Sequence, residues 1–110
     1  MSGYKEIEAA ELNRGLAEGN IMLIDVRSDD EVARGVIEGA QHIPLHMIPL
    51  KVEELIGDQP LVFYCHAGIR SAQAAAFLAS KGRNNIYNLQ GGVLAWGKAG
   101  YAFVPKTLET

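Results

Sequence analysis

The chain of 110 residues has only one cysteine, Cys65, which excludes an intramolecular disulfide. Its three histidines, His42, His46 and His66, share no metal-ligand spacing with that cysteine, so neither a metal nor another cofactor is expected. His42 and His46 lie four apart, but Ile43-Pro44 between them breaks any helix that would bring both onto one face. Positive charge is also scarce. Ten Lys and Arg are dispersed among thirteen Asp and Glu, for a formal net charge of -3. That balance leaves no electrostatic footprint for nucleic acid or an anionic membrane, and neither partner is expected. Strongly apolar runs reach only four or five residues, far short of the roughly 20 needed to cross a bilayer. The opening Met1-Ser2-Gly3-Tyr4-Lys5-Glu6 lacks an apolar signal core, so a cytoplasmic location is expected. The four prolines are scattered, and no internal repeat, linker or low-complexity segment interrupts the chain.

What is present suits one compact domain: 48% hydrophobic and 21% charged residues, over a length with room for a single core. Ile21-Met22-Leu23-Ile24 and Leu61-Val62-Phe63-Tyr64 are continuous apolar stretches, as strands buried on both faces require, and Ile86-Tyr87-Asn88-Leu89 is a weaker third. Helical signals lie between them. Leu12 and Leu16 are four apart within residues 8–18, and Ser28-Asp29-Asp30-Glu31 is a capping box that opens a short helix, with Gly35 available to close it. Residues 47–56 are a further candidate helix. Residues 70–81 are rich in alanine, which gives high helix propensity and a thin profile, with Gly82 as the stop. A last helix follows Gly91-Gly92. Strands alternating with helices predict an α/β domain with a mainly parallel sheet. Its core is expected over about residues 5–101, with a loose tail over 102–110.

In such a sheet, ligands bind beyond the carboxyl ends of the strands. Directly after Leu61–Tyr64 comes Cys65-His66-Ala67-Gly68-Ile69-Arg70-Ser71, and then the alanine-rich helix. With Gly68 at positive φ, successive N–H groups can turn inward around the cysteine sulfur while the helix N-terminus points at the same spot. An ordinary thiol with a pKa of about 8.5 is about 3% ionised at pH 7, and each unit of lowering takes about 1.4 kcal/mol. A helix N-terminus supplies about 0.3–2 kcal/mol, and charge-assisted N–H bonds about 1.5–3 kcal/mol each. A lowered pKa for Cys65 is therefore expected, and with it a nucleophile. A purely structural cysteine would sit inside the apolar run, whereas Cys65 stands where the run stops.

The same loop resembles the active loop of the rhodanese family, and other stretches agree in order. Ile24-Asp25-Val26-Arg27 resembles the family's D-V-R. Glu31, with residues 35–44 (Gly35-Val36-Ile37-Glu38-Gly39-Ala40-Gln41-His42-Ile43-Pro44), resembles its E-x3-G-H-I-x-G-A-x-N-I-P. Gly91-Gly92-Val93-Leu94-Ala95-Trp96-Gly97-Lys98-Ala99-Gly100 resembles its G-G-x3-W-x3-G. Val36 stands where the family often has histidine, and His42 where it often has asparagine.

The resemblance implies a compact sheet of about five strands flanked by helices, and a two-step sulfur transfer. The Cys65 thiolate attacks the sulfane sulfur of thiosulfate, or of a persulfide or polysulfide donor, and holds it as a persulfide. A thiol, a sulfur-carrier protein or cyanide then removes the outer sulfur. The amides of His66, Ala67, Gly68, Ile69, Arg70 and Ser71 are expected to hold the negative charge in both states. Arg70 is the expected counter-charge for a sulfonate, with His66 adding polarity at the rim. Asp25 and Arg27 are expected to brace the loop by hydrogen bonds, and Trp96 to sit in the core. Because Arg70 is the only firm cation in the loop, thiosulfate is expected to bind weakly. Two alternatives come from other classes. Related phosphatases and arsenate reductases carry C-x5-R, but Arg70 is five positions after Cys65 and the sixth is Ser71, a loop tighter by one residue. Rhodanese-like domains also serve as non-catalytic binding modules, though these usually lack the cysteine.

Overall fold

The computed structural model describes residues 3–106. Five strands, β1 (Lys5–Ile7), β2 (Met22–Asp25), β3 (Gln41–His42), β4 (Leu61–Tyr64) and β5 (Ile86–Leu89), form one sheet in the order β1-β5-β4-β2-β3. Every strand pair in it is parallel. The helices are α1 (Ala9–Glu18), α2 (Asp29–Val32), α3 (Ile69–Ser80) and α4 (Gly92–Lys98).

Strand periodicity sorts the core into two layers. Leu61, Phe63 and Ile24 face one side, where Ala74, Ala75 and Leu78 of α3 close over them. Val62, Tyr64 and Leu23 face the other, against Leu12 of α1 and Trp96 of α4. Ala74 and Ala75 are completely buried, so the alanine content of α3 serves close approach to the sheet as well as helix propensity. Cys65, one step beyond β4, keeps the parity of Leu61 and Phe63 and belongs to the α3 layer.

Strand order reverses between β2 and β4: from β2 the chain steps outward to β3, then returns across the sheet to β4 and β5. A crevice opens beyond the strand ends at such a reversal. Asp25 is the register partner of Tyr64, and Val26 N–H donates to the Tyr64 carbonyl at 3.1 Å, so the segments after β2 and β4 leave the sheet side by side.

Three expectations need correction. Residues 47–56 are not an α-helix but two successive 3-10 helices, Leu45–Leu50 and Val52–Leu55. Pro49 lies inside the first, where it removes one N–H from the turn, and Lys51, with φ -115°, separates the two. The short helix α2 closes at Ala33 rather than at Gly35, which instead turns the chain with φ 136°. The tail is tied down at Val104, which exchanges two 2.8 Å backbone hydrogen bonds with Val36. Residues 107–110 of the expected loose tail lie outside the described residues. At the far end of the sheet, the buried Arg83 guanidinium donates to the carbonyls of Leu55 at 2.6 Å and Gln59 at 2.7 Å, and also to that of Asn84. It ties the second 3-10 helix to the start of β5.

Candidate active site

Cys65 is only 1% exposed, yet its surroundings are not hydrocarbon alone. The sulfur accepts Gly68 N–H at 3.1 Å, Ser71 N–H at 3.4 Å and the Ser71 hydroxyl at 3.3 Å. Gly68 is the N-cap residue of α3 and has no capping side chain. The first amides of a helix have no partner within it, and here Cys65 Sγ takes that place. Burial pushes the Cys65 thiol up, but the Ser71 hydroxyl and the Ser71, Gly68 and Ala67 amides outweigh it, and the pKa is lowered. The cradle thus comprises amides of the predicted loop together with a hydroxyl that sequence reasoning had counted only as backbone.

The amides face the sulfur because the carbonyls are held elsewhere. Val93 N–H donates to the Cys65 carbonyl at 2.9 Å, and Leu94 N–H to the His66 carbonyl at 3.2 Å. Both donors lie in the first turn of α4. The approach is so close that a Cβ at Gly92 would lie 2.4 Å from the Cys65 oxygen and 2.6 Å from the His66 oxygen, and Gly92 has φ +57°. Asn88, buried in β5, donates through Nδ2 to the Gly68 carbonyl at 3.2 Å and to the Glu6 carboxylate at 3.1 Å. Sequence reading missed Asn88, although a polar residue inside an apolar strand is a signal worth following. Gly68 itself has φ +101°, as the turn demands.

Arg70 is not a free cation. Its Nη1 and Nη2 grip Glu31 Oε1 and Oε2 at 2.7 and 2.8 Å. Glu31 Oε1 also accepts Ser28 N–H at 3.1 Å and the Ser28 hydroxyl at 3.0 Å, so the capping box of α2 fixes the carboxylate that holds Arg70. Arg70 keeps the Glu31 carboxyl well below the usual carboxylate range. His66, Ala67 and Ile69 are exposed at the rim.

Asp25 and Arg27 face each other rather than the sulfur. Asp25 Oδ1 accepts Arg27 N–H at 2.9 Å and Nε–H at 3.0 Å, while Oδ2 accepts Nη2–H at 2.7 Å. The same Nη2 reaches the Gly35 carbonyl at 2.8 Å, tying the end of β2 to the following turn. His42 takes a polar role in this arrangement, with Nε2 2.7 Å from the Arg27 carbonyl. Val36 holds the tail through Val104, and Trp96 is buried with Nε1–H on the Ala102 carbonyl at 2.9 Å.

Two hollows flank the loop. One, of about 350 Å³, includes Arg27, Glu31, Arg34 and His66; the other, of about 600 Å³, includes Arg27, Asp29, His46 and Arg70. The Glu31–Arg70 pair stands between them. Among the described residues, no group of three His, Cys, Asp or Glu side chains is arranged to hold a metal, and no helix is long and apolar enough to cross a membrane.

The chain is similar to known proteins in sequence and in fold. The family model "Rhodanese-like domain" matches residues 8–99. A protein of Allochromatium vinosum named "Sulfurtransferase" is 38% identical over 100 residues, covering 90% of this chain and 94% of its own. The "Thiosulfate sulfurtransferase GlpE" of Pseudomonas fluorescens is 35% identical over 96 residues, covering 87% of each. The crystal structure of a rhodanese-related protein from Thermoplasma volcanium superposes with a TM-score of 0.85 at 32% identity, over 94% of this chain and all of that one. With the matched region spanning both β2 and the Cys65 loop, the chain belongs to the rhodanese-like domain family.

Proposed function

We propose that this chain is a sulfurtransferase that carries a sulfane sulfur on Cys65 as a persulfide. The observation that carries the reading is the sulfur cradle: a buried thiol held by two amides and a hydroxyl, with its pKa lowered despite burial. Relatives named for sulfur transfer and for thiosulfate support the same chemistry. With thiosulfate, the thiolate attacks the outer sulfur, the S–S bond of the donor breaks, and sulfite leaves with that electron pair. Cys65 then bears a terminal S⁻. In the second step a thiolate or cyanide attacks this outer sulfur, the bond to Cys65 Sγ breaks, and the thiolate is regenerated. The inward amides serve both states, since each places negative charge at the mouth of the loop. Physiological donors of the persulfide or polysulfide class, a thiol or sulfur-carrier protein as acceptor, a cytoplasmic setting and a place in sulfur metabolism complete the reading.

The Glu31 grip on Arg70 weighs against a phosphatase, because the guanidinium that would meet a phosphate is already neutralised. The test is thiosulfate:cyanide transfer by the wild type and Cys65→Ser, with mass spectrometry of the protein after donor alone. Turnover and a mass increase of one sulfur, both lost in Cys65→Ser, are expected. A wild type that neither turns over nor gains sulfur from thiosulfate, cysteine persulfide or polysulfide would make the domain a binding module.

A further inference from the structure

We propose that Glu31 is a specificity-determining residue, which by neutralising Arg70 biases the Cys65 loop away from doubly charged sulfonate donors and toward singly charged persulfides. The inference rests on the sulfurtransferase reading and concerns which donors that site accepts.

Arg70 is the only Lys or Arg in the loop that follows Cys65, at the second residue of α3, and a free guanidinium there should attract a dianion. Both of its terminal nitrogens are instead spent on one carboxylate, in the fork geometry that gives Arg–carboxylate pairs their strength. The carboxylate has little freedom to swing away, because Ser28 N–H and the Ser28 hydroxyl hold it from α2. Side-chain exposures of 36% for Arg70 and 26% for Glu31 keep the pair at the mouth rather than in the core. Glu31 borders one flanking hollow and Arg70 the other, and because the two side chains are paired at 2.7 and 2.8 Å, each hollow meets a charge that already has its opposite beside it. Arg27 adds nothing net, since Asp25 cancels it. The exposed Asp29 and Arg34, one in each hollow, are opposite in sign. A donor with two negative charges therefore gains little from this mouth over a donor with one.

The experiment compares kcat/KM for thiosulfate with kcat/KM for cysteine persulfide, and reads their ratio. Glu31→Gln keeps the size and an oxygen for Ser28 but removes the opposing charge. The ratio should rise about two- to fivefold, as expected for one charge removed from near a donor in a solvated mouth. The rise should disappear in Glu31→Gln/Arg70→Gln, because the gain comes from the released guanidinium. Ser28→Ala, which loosens Glu31 without changing charge, should give a smaller rise in the same direction and serves if Glu31→Gln does not fold. A ratio that stays level or falls in the folded single variants, or a rise that persists in the double variant, overturns the inference. Wild-type protein inert toward both donors would instead overturn the sulfurtransferase reading beneath it.

Discussion

Ser71→Ala isolates one contribution to the cradle. The substitution removes the hydroxyl that donates to Cys65 Sγ at 3.3 Å, while the Ser71 amide at 3.4 Å remains, since alanine keeps its N–H. Alanine is also the best helix former, so α3 should persist. A hydrogen bond to a charged group contributes about 1.5–3 kcal/mol. A sulfur acceptor at this length favours the lower end, and about 1.4 kcal/mol is one pKa unit. The Cys65 pKa should therefore rise by about one unit. Iodoacetamide alkylation followed from pH 5 to 10 reports this directly, because no other cysteine competes. The midpoint is the proper readout rather than the rate at one pH. A more basic thiolate is intrinsically more nucleophilic, with a Brønsted coefficient of about 0.4–0.5, which offsets nearly half of the logarithmic loss in thiolate population. A rate measured at a pH well below both midpoints would then fall only about threefold while the ionised fraction falls about tenfold. An unmoved midpoint, or one that moves down while the urea midpoint is unchanged, would refute the assignment of the hydroxyl to the sulfur.

Other expectations follow from the same contacts. Because the folded-state pKa of Cys65 is lowered, the stability this contributes is present above the ordinary thiol pKa and lost as pH falls through the folded value. Urea unfolding of wild type against Cys65→Ser should show the gap moving in favour of wild type from pH 6 to 9. Gly92→Ala places a methyl 2.4 Å from the Cys65 carbonyl at a positive φ, so the loop must shift. A loss of about 1–3 kcal/mol by urea melt and a raised alkylation midpoint are expected. Asp25→Ala leaves the buried Arg27 guanidinium without its carboxylate and should cost about 3–5 kcal/mol, measured the same way. Arg83→Met, at the opposite end of the sheet, abandons the buried Leu55 carbonyl and the part-buried Gln59 carbonyl and should lower stability by about 1–3 kcal/mol while leaving the Cys65 alkylation midpoint in place.

The parts of the fold legible in the sequence are those whose physics is local. β4 coincides with its apolar tetrad, because a strand covered on both faces must be apolar throughout. α3 was readable from alanine, and α2 from its capping box. Edge strands carry no such demand: β1 is exposed at Lys5 and Glu6, and β3 is only two residues long, so neither has a pattern to find. Residues 47–56 show helical spacing of apolar side chains, but spacing does not register the non-helical backbone at Lys51, φ -115°, that divides the segment into two short turns. At the site, the nucleophile and its loop were visible because they are contiguous. The Glu31–Arg70 pair joins residues 39 apart, and the Asn88–Gly68 bond residues 20 apart. No spacing rule reaches across such distances, and only the sheet order that brings β2, β4 and β5 together makes these partners.

A buried thiol that must ionise poses an electrostatic problem that donors alone do not solve, since a peptide group turned the wrong way presents its carbonyl to the sulfur. Each carbonyl in this loop would oppose a thiolate if it pointed inward. The fold prevents this by giving those oxygens stronger claims outside: Val93 N–H on Cys65, Leu94 N–H on His66, and Asn88 Nδ2 on Gly68. The first two are amides at the start of α4, which need acceptors of their own, so one set of unsatisfied groups resolves the other. Gly92 is the residue that lets the two segments come close enough for that exchange. It follows that the reactivity of Cys65 depends on α4 and β5 as much as on the loop that contains it. A substitution at residues 88 or 92, in elements with no hydrogen bond to the sulfur, should therefore change the thiol pKa through peptide orientation.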